Sequence, residues 1–227
     1  VTDATTRGFI GQLAQGDRQA LLSEGVEQIF PARSALCAQG EIGTRVMLIL
    51  RGTAKVGRTL SDGSHTVLGL CGPGDIVGEA SAVAGEGSAR LAAVIAVDSV
   101  TCRVLAASRF RQVLRARPEI YRTLVAVTND RLRRTADNGV RQAAHPVACR
   151  TARMLKELAA RYGRPAPQGL LIGLALSQHD LALLVGASRE SVVRALSRLR
   201  TSGIITTSRR KIIIRDPDGL GRAGEHH

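Results

Sequence analysis

An α+β chain, with a β-rich N-terminal part, one long helix and a helical C-terminal part closed by a hairpin, is what three features of this sequence predict. Short apolar runs broken by Gly and Asp fill residues 28–105, and apolar residues recur at steps of four and three after Pro118. The stretch 177–200, SQHDLALLVGASRESVVRALSRLR, reads as two short helices on either side of a glycine turn. These features divide the 227 residues into 1–115, 116–138 and 139–227. That length suits two modest domains, and a hydrophobic content of 44% is enough for real cores.

In chain order, Phe9, Ile10, Leu13, Ala20, Leu21 and Leu22 stand among polar residues and suit one or two short helices within 7–24. The runs 46–50, 54–56, 66–70, 91–97 and 100–105 are punctuated by Gly40, Gly43, Gly52, Asp62-Gly63 and Gly72-Pro73-Gly74. Such a texture predicts a small antiparallel barrel or sandwich, with Asp62-Gly63 as its best hairpin turn. Pro118 then starts a long helix. Tyr121, Val125, Thr128, Leu132 and Thr135 form a heptad seam on it, which predicts self-association; a core-facing helix in a monomer is the alternative. Residues 137–145 read as a hinge, because Asn138-Gly139 can break a helix.

Pro146 opens a further helix to about Tyr162, and the Gly-Arg-Pro-Ala-Pro run after it reads as a loop. In the stretch 177–200, Ser177 and Asp180 have the spacing of a helix cap, and Leu181, Leu184 and Val185 give the first helix an apolar face. Gly186-Ala187 stops that helix and Ser188 caps the next. On the second helix Val192, Ala195, Leu196 and Leu199 fall on one arc of roughly 100°. Arg189, Glu190, Val193, Arg194 and Ser197 fill the opposite arc of roughly 140°. The open arc is equipped to read base edges: Arg offers a fork to guanine O6 and N7, and Glu accepts from cytosine N4. Beyond it, Ile204-Ile205 and residues 212–214 flank Ser208-Arg209-Arg210, a hairpin with a basic tip. Arg209, Arg210 and Lys211 suit phosphate contacts. The tail from Asp216 is polar and Gly-rich and is expected to be loose.

Charge agrees with this assignment. The net charge is +13, but residues 1–108 hold nine basic and ten acidic side chains, 109–140 eight and three, and 141–227 fifteen and six. The positive field therefore lies with the paired helices, as phosphate binding requires. Aromatic residues are only 2%, with no Trp, which disfavours base stacking on single strands and leaves duplex DNA as the expected partner. Cys37, Cys71, Cys102 and Cys149 lie far apart with no C-x-x-C, so no metal or iron–sulfur site is expected and all four read as buried small hydrophobes. Nucleophile-elbow, H-E-x-x-H and Walker patterns are all missing, so no catalytic residue is assigned and the chain reads as a non-enzyme. With no membrane-length apolar run and no signal pattern, the expected location is the cytoplasm.

Gly186, Ser188, Arg189, Glu190, Val192 and Arg194 follow the order Gly-x-Ser-Arg-Glu-x-Val-x-Arg. On these residues the segment resembles the helix-turn-helix of the cyclic-AMP receptor and FNR (CRP/FNR) family of bacterial transcription regulators, closer to the cyclic-AMP receptor branch because the first Arg is present. Residues 28–105 resemble that family's cyclic-nucleotide-binding β-roll. The resemblance implies a phosphate-binding cassette in which Gly78-Glu79 opens a short helix and Arg90-Leu91-Ala92 follows. There Arg90 would clamp a cyclic phosphate and Glu79 would take the ribose 2′-hydroxyl.

The long helix would form a dimer axis and present Thr135, beside Ala136, to the adenine. The hairpin after the second helix would be the wing of a winged helix. The implied cofactor is cyclic AMP or another cyclic nucleotide, but Leu91 stands where the family has Ser or Thr. The lost hydrogen bond to a charged group is worth about 1.5–3 kcal/mol, so binding is expected to be weak or absent. Another small effector, or a cassette that only holds the roll together, stays open. The implied partners are a second copy of the chain, duplex DNA bearing inverted TGTGA-like half-sites, and RNA polymerase.

Overall fold

A computed structural model describes residues 8–208 and 211–225, with backbone alone for 138–144. The chain divides between Thr135 and Ala136 into two compact units. In the first, α1 (Gly8–Gln12) and α2 (Gln15–Leu22) precede β1 (Val26–Phe30), β2 (Ala35–Cys37), β3 (Arg45–Arg51), β4 (Ala54–Thr59), β5 (His65–Cys71) and β6 (Ile76–Val77). There follow α3 (Glu79–Ala84), β7 (Ala93–Ala96), β8 (Val100–Ala106), α4 (Ala107–Ala116) and α5 (Pro118–Ala144), whose residues from Ala136 on belong to the second unit. Antiparallel pairing builds two four-stranded sheets, ordered β1-β8-β3-β6 and β2-β7-β4-β5.

Strand β3 shows why the apolar run 46–50 is continuous. Alternate residues point to opposite faces, and here both faces are covered. Met47 and Ile49 join Phe30, Leu36, Val94 and Cys102 in a core drawn from both sheets. Val46 and Leu48 join Phe9, Phe110, Ile120 and Leu124 in a second core roofed by helices. The expected Asp62-Gly63 turn joins β4 to β5: Gly63 has φ 81°, and Asp62 Oδ1 accepts from the Ser64 amide at 2.9 Å. All four cysteines are buried, and burial pushes the Cys102 thiol up to about 12, which keeps it unreactive.

Helix α5 departs from expectation at its end. It continues through Asn138-Gly139 to Ala144 instead of breaking there. One Gly costs a helix only about 1 kcal/mol relative to Ala, whereas a Pro forces the preceding residue out of helical geometry. The stop accordingly comes at His145-Pro146.

In the second unit, α6 (Val147–Tyr162) is followed by β9 (Gly163–Ala166), β10 (Gly169–Ile172), α7 (Gln178–Val185), α8 (Arg189–Thr201), β11 (Ile205–Ser208), β12 (Lys211–Ile214) and α9 (Pro217–Gly224). Two sequence expectations are corrected. The Gly-Arg-Pro-Ala run is strand β9, not a loop, pairing with β10 in a sheet ordered β11-β12-β10-β9. It is an edge strand, where Pro165 has no ladder bond to forfeit. The tail is helix α9, not loose chain: Asp216 caps it by accepting from the Gly219 amide at 2.8 Å, Pro217 opens it, and Leu220 is 2% exposed. Its glycines permit close approach to α6. A Cβ on Gly224 would lie 3.1 Å from Arg153 Cγ, and the Gly224 carbonyl accepts from Cys149 Sγ at 2.8 Å.

Candidate nucleic-acid interface and effector cassette

The turn between α7 and α8 is fixed by local chemistry. Asp180 N donates to Ser177 Oγ at 3.1 Å and Ser177 N donates to Asp180 Oδ2 at 2.9 Å, a reciprocal capping box. Gly186 ends α7 at φ 65°, ψ 49°, left-handed geometry that suits Gly, and the Ala187 amide reaches back to the Ala182 carbonyl at 3.1 Å. Ser188 caps α8 by accepting from the Ser191 amide at 3.2 Å. A group missed in the sequence completes the turn: Arg150 on α6 donates to the carbonyls of Val185 and Gly186 at 2.9 and 3.1 Å. Its cation sits at the negative end of α7.

The two arcs of α8 separate in part, since Val193 and Ser197 of the open arc are half-buried. Val192, Ala195, Leu196 and Leu199 are buried, while Ser188, Arg189, Glu190 and Arg194 are exposed. Arg189 leans on Gln178 Oε1 at 3.3 Å and Arg194 on Ser191 Oγ at 3.1 Å, both weak neutral-acceptor bonds that a base edge can replace. Glu190's own backbone N–H, at the start of the helix, holds its carboxyl below the usual range, with the Ser188 hydroxyl adding to the effect. It is an ionised acceptor at neutral pH, as cytosine N4 asks. Lys211 opens β12 and is exposed; Arg209 and Arg210 lie outside the described residues.

The cassette residues are brought together, but not with open hands. Arg90 is 5% exposed, and its guanidinium donates to Gly78 O at 2.6 Å, to Ser81 Oγ at 2.9 Å and to the Arg45 carbonyl. Glu41 lies 3.7 Å from its Nε. Gly78 has φ 81°, and a Cβ there would come within 2.3 Å of the Arg90 Nη1, so this position requires Gly. Glu79 accepts from Arg131 Nη1 of α5 at 2.9 Å, and Asp75, buried at 3% exposure, lies 3.7 Å from the other Arg131 nitrogen. Burial pushes the Glu79 carboxyl up, with the Arg131 charge pulling it the other way. Leu91 is 71% exposed, Ala92 is half-buried, and Thr135 donates to the Arg131 carbonyl at 3.0 Å. The seam residues Tyr121, Val125, Thr128 and Leu132 all face outward from this unit.

Residues 27–117 match the cyclic nucleotide-binding domain family and residues 149–223 the Crp-like helix-turn-helix domain family. The chain is 33% identical, over 217 residues, to the CRP-like cAMP-activated global transcriptional regulator of Mycobacterium tuberculosis, covering 95% of this chain and 96% of that protein. It is 30% identical to the cAMP-activated global transcriptional regulator CRP of Haemophilus influenzae, over 82% of each. The fold is that of FixK2 from Bradyrhizobium japonicum, at TM-score 0.77 and 23% identity, over 89% of this chain and 98% of that one. A cyclic-nucleotide-binding-type roll, a long helix and a winged helix-turn-helix together make a DNA-binding transcription regulator. The chain belongs to the family of CRP-like transcription regulators.

Proposed function

We propose that the chain works as a cytoplasmic homodimer that reads an inverted repeat of TGTGA-like half-sites in duplex DNA and regulates transcription there through contacts with RNA polymerase. The observation that carries this reading is the exposed set Arg189, Glu190 and Arg194 on a helix whose opposite face is buried and whose start is capped. Such a set asks for guanine, cytosine and guanine edges, with the cytosine on the opposite strand. Arg209, Arg210 and Lys211 are assigned to phosphates. Two helices related by a two-fold axis would read half-sites whose centres lie about 34–36 Å apart. Selection of binding sites from random DNA tests this. Paired G-containing inverted repeats are the expected result, and a motif without them removes the assignment. In the same assay Glu190→Ala is expected to relax preference at one base pair of each half-site, at about 1–3 kcal/mol.

The roll is proposed as the sensor of residues 1–115, coupled through α5, with residues 139–227 as the DNA-binding part. Its affinity for cyclic AMP is low. Arg90 already commits Nη1 and Nη2 to the protein's own acceptors, Glu79 is held by Arg131, and Leu91 supplies no hydroxyl. The cyclic-AMP-activated relatives support the class of ligand and set the comparison. Calorimetry is expected to find cyclic AMP binding weak or undetectable in the wild type and strengthened about tenfold or more by Leu91→Ser. Tight wild-type binding would overturn the weight given to Leu91.

A further inference from the structure

Within the second unit, a cavity of about 370 Å³ lies between α7, α8 and the strands β11 and β12. Its floor is Leu158, Ile172, Leu174, Leu176, Leu181 and Leu196, none more than 9% exposed. Its mouth carries Gln178, Ser197, Arg200 and Lys211. Among the described residues, the ionisable groups lining it are Arg200 and Lys211 alone, and no carboxylate is present.

The leucine floor offers water few partners and suits an apolar group, while the polar side chains of the lining, Ser177, Thr207 and Ser208 among them, lie around it. The volume falls at the small end of the range of about 300–1,000 Å³ for small-molecule sites. An apolar body fits the floor, and a single negative head fits the mouth. Arg200 Nη2 donates to a neutral hydroxyl, Ser197 Oγ at 3.3 Å, a bond that a charge-assisted bond to a carboxylate would displace. We propose that this cavity binds small amphipathic monocarboxylates, and that the bound acid weakens DNA binding. Val193 and Leu196 of α8 form one wall and Thr207 and Ile212 of the hairpin another, so an occupant wedges between the reading helix and the wing. Its head also neutralises Lys211, which the reading above assigns to phosphate; this inhibitory effect rests on that reading, whereas the cavity does not.

The test is a calorimetric titration of the full chain with octanoate, octan-1-ol and octylammonium, paired with leucine-methyl NMR. Octanoate is expected to bind about tenfold more tightly than octanol, octylammonium not to bind, and the methyl shifts to centre on Leu176, Leu181 and Leu196. Arg200→Gln, checked for unchanged circular dichroism, should lower octanoate affinity about tenfold and leave octanol alone. Equal affinity for acid and alcohol, or shifts confined to leucines of the roll, would overturn the site. Anisotropy of a labelled duplex carrying inverted TGTGA half-sites reads the second half: octanoate should raise the duplex Kd about tenfold. A duplex that binds with a Kd indifferent to octanoate overturns inhibition. Octanoate binding with no duplex binding at all overturns the DNA reading and upholds the cavity.

Discussion

Replacing Leu132 with Arg is expected to leave the chain folded, convert it from dimer to monomer, and lower its affinity for a two-half-site operator by about 10²–10⁴-fold. The physical basis is the two-faced character of α5. Ile120, Leu124 and Val127 are buried against the roll, so the helix keeps its seat whatever happens on the other side. One position along, Tyr121, Val125 and Leu132 are 46%, 41% and 67% exposed, a stripe of large apolar groups at coiled-coil spacing. A second α5 would cover them. A guanidinium at position 132 would have to be desolvated in that seam, opposite its own copy, and like charges facing each other oppose association. A monomer presents one reading helix, and the second half-site no longer gains from being held nearby. Sedimentation velocity and anisotropy on the same samples check both halves. An unchanged dimer would remove α5 as the interface, and a monomer with full operator affinity would remove the two-fold reading.

Features legible in the sequence are those whose cause is local. The capping box at Ser177 and Asp180, the Gly186 turn and the split arcs of α8 all arise from residues within a few positions of one another, so periodicity and cap chemistry sufficed. Strand β3 was legible because a run buried on both faces is continuous. By contrast β1 has four of its five residues exposed, and β6 has two residues in all, so neither offers a period to read. Strand β9 was hidden by Pro165, a residue that argues against a strand until the strand is known to be at an edge. Helix α9 was hidden by glycines whose purpose is close contact with α6, a tertiary fact.

The cassette divides the same way. Spacing located Gly78, Glu79 and Arg90, and Leu91 stood out as a departure. What those groups hold depends on distant chain: the Arg45 carbonyl is 45 residues from Arg90, and Arg131 is 52 residues from Glu79. An Arg that clamps a ligand and an Arg that clamps its own fold look alike in a sequence. Only the positions of the acceptors tell them apart.

That distinction has a direct experimental consequence at Arg90. Arg90→Met keeps an unbranched stem and removes the guanidinium, leaving Ser81 Oγ and the Arg45 carbonyl without this donor and Gly78 O with the long 3.4 Å bond from Ser81 Oγ. Each buried acceptor so orphaned costs about 1–3 kcal/mol, and breaking a buried charged contact by removing one partner costs about 3–5 kcal/mol. A loss near 3 kcal/mol is therefore expected, seen as a fall in the unfolding midpoint of the first unit of about 10 °C. Arg90→Lys should recover only part of it. A single ammonium on a flexible stem cannot span acceptors on α3 and β3 as the planar fork does. Thermal unfolding of the full chain, with and without cyclic AMP, separates the two roles. If Arg90 served a ligand rather than the fold, the substitution would leave the ligand-free midpoint unchanged and abolish a stabilisation by cyclic AMP that the wild type displays. The arrangement of Gly78, Ser81 and Arg45 around the guanidinium calls for the opposite: a large loss without nucleotide, and little for the nucleotide to add.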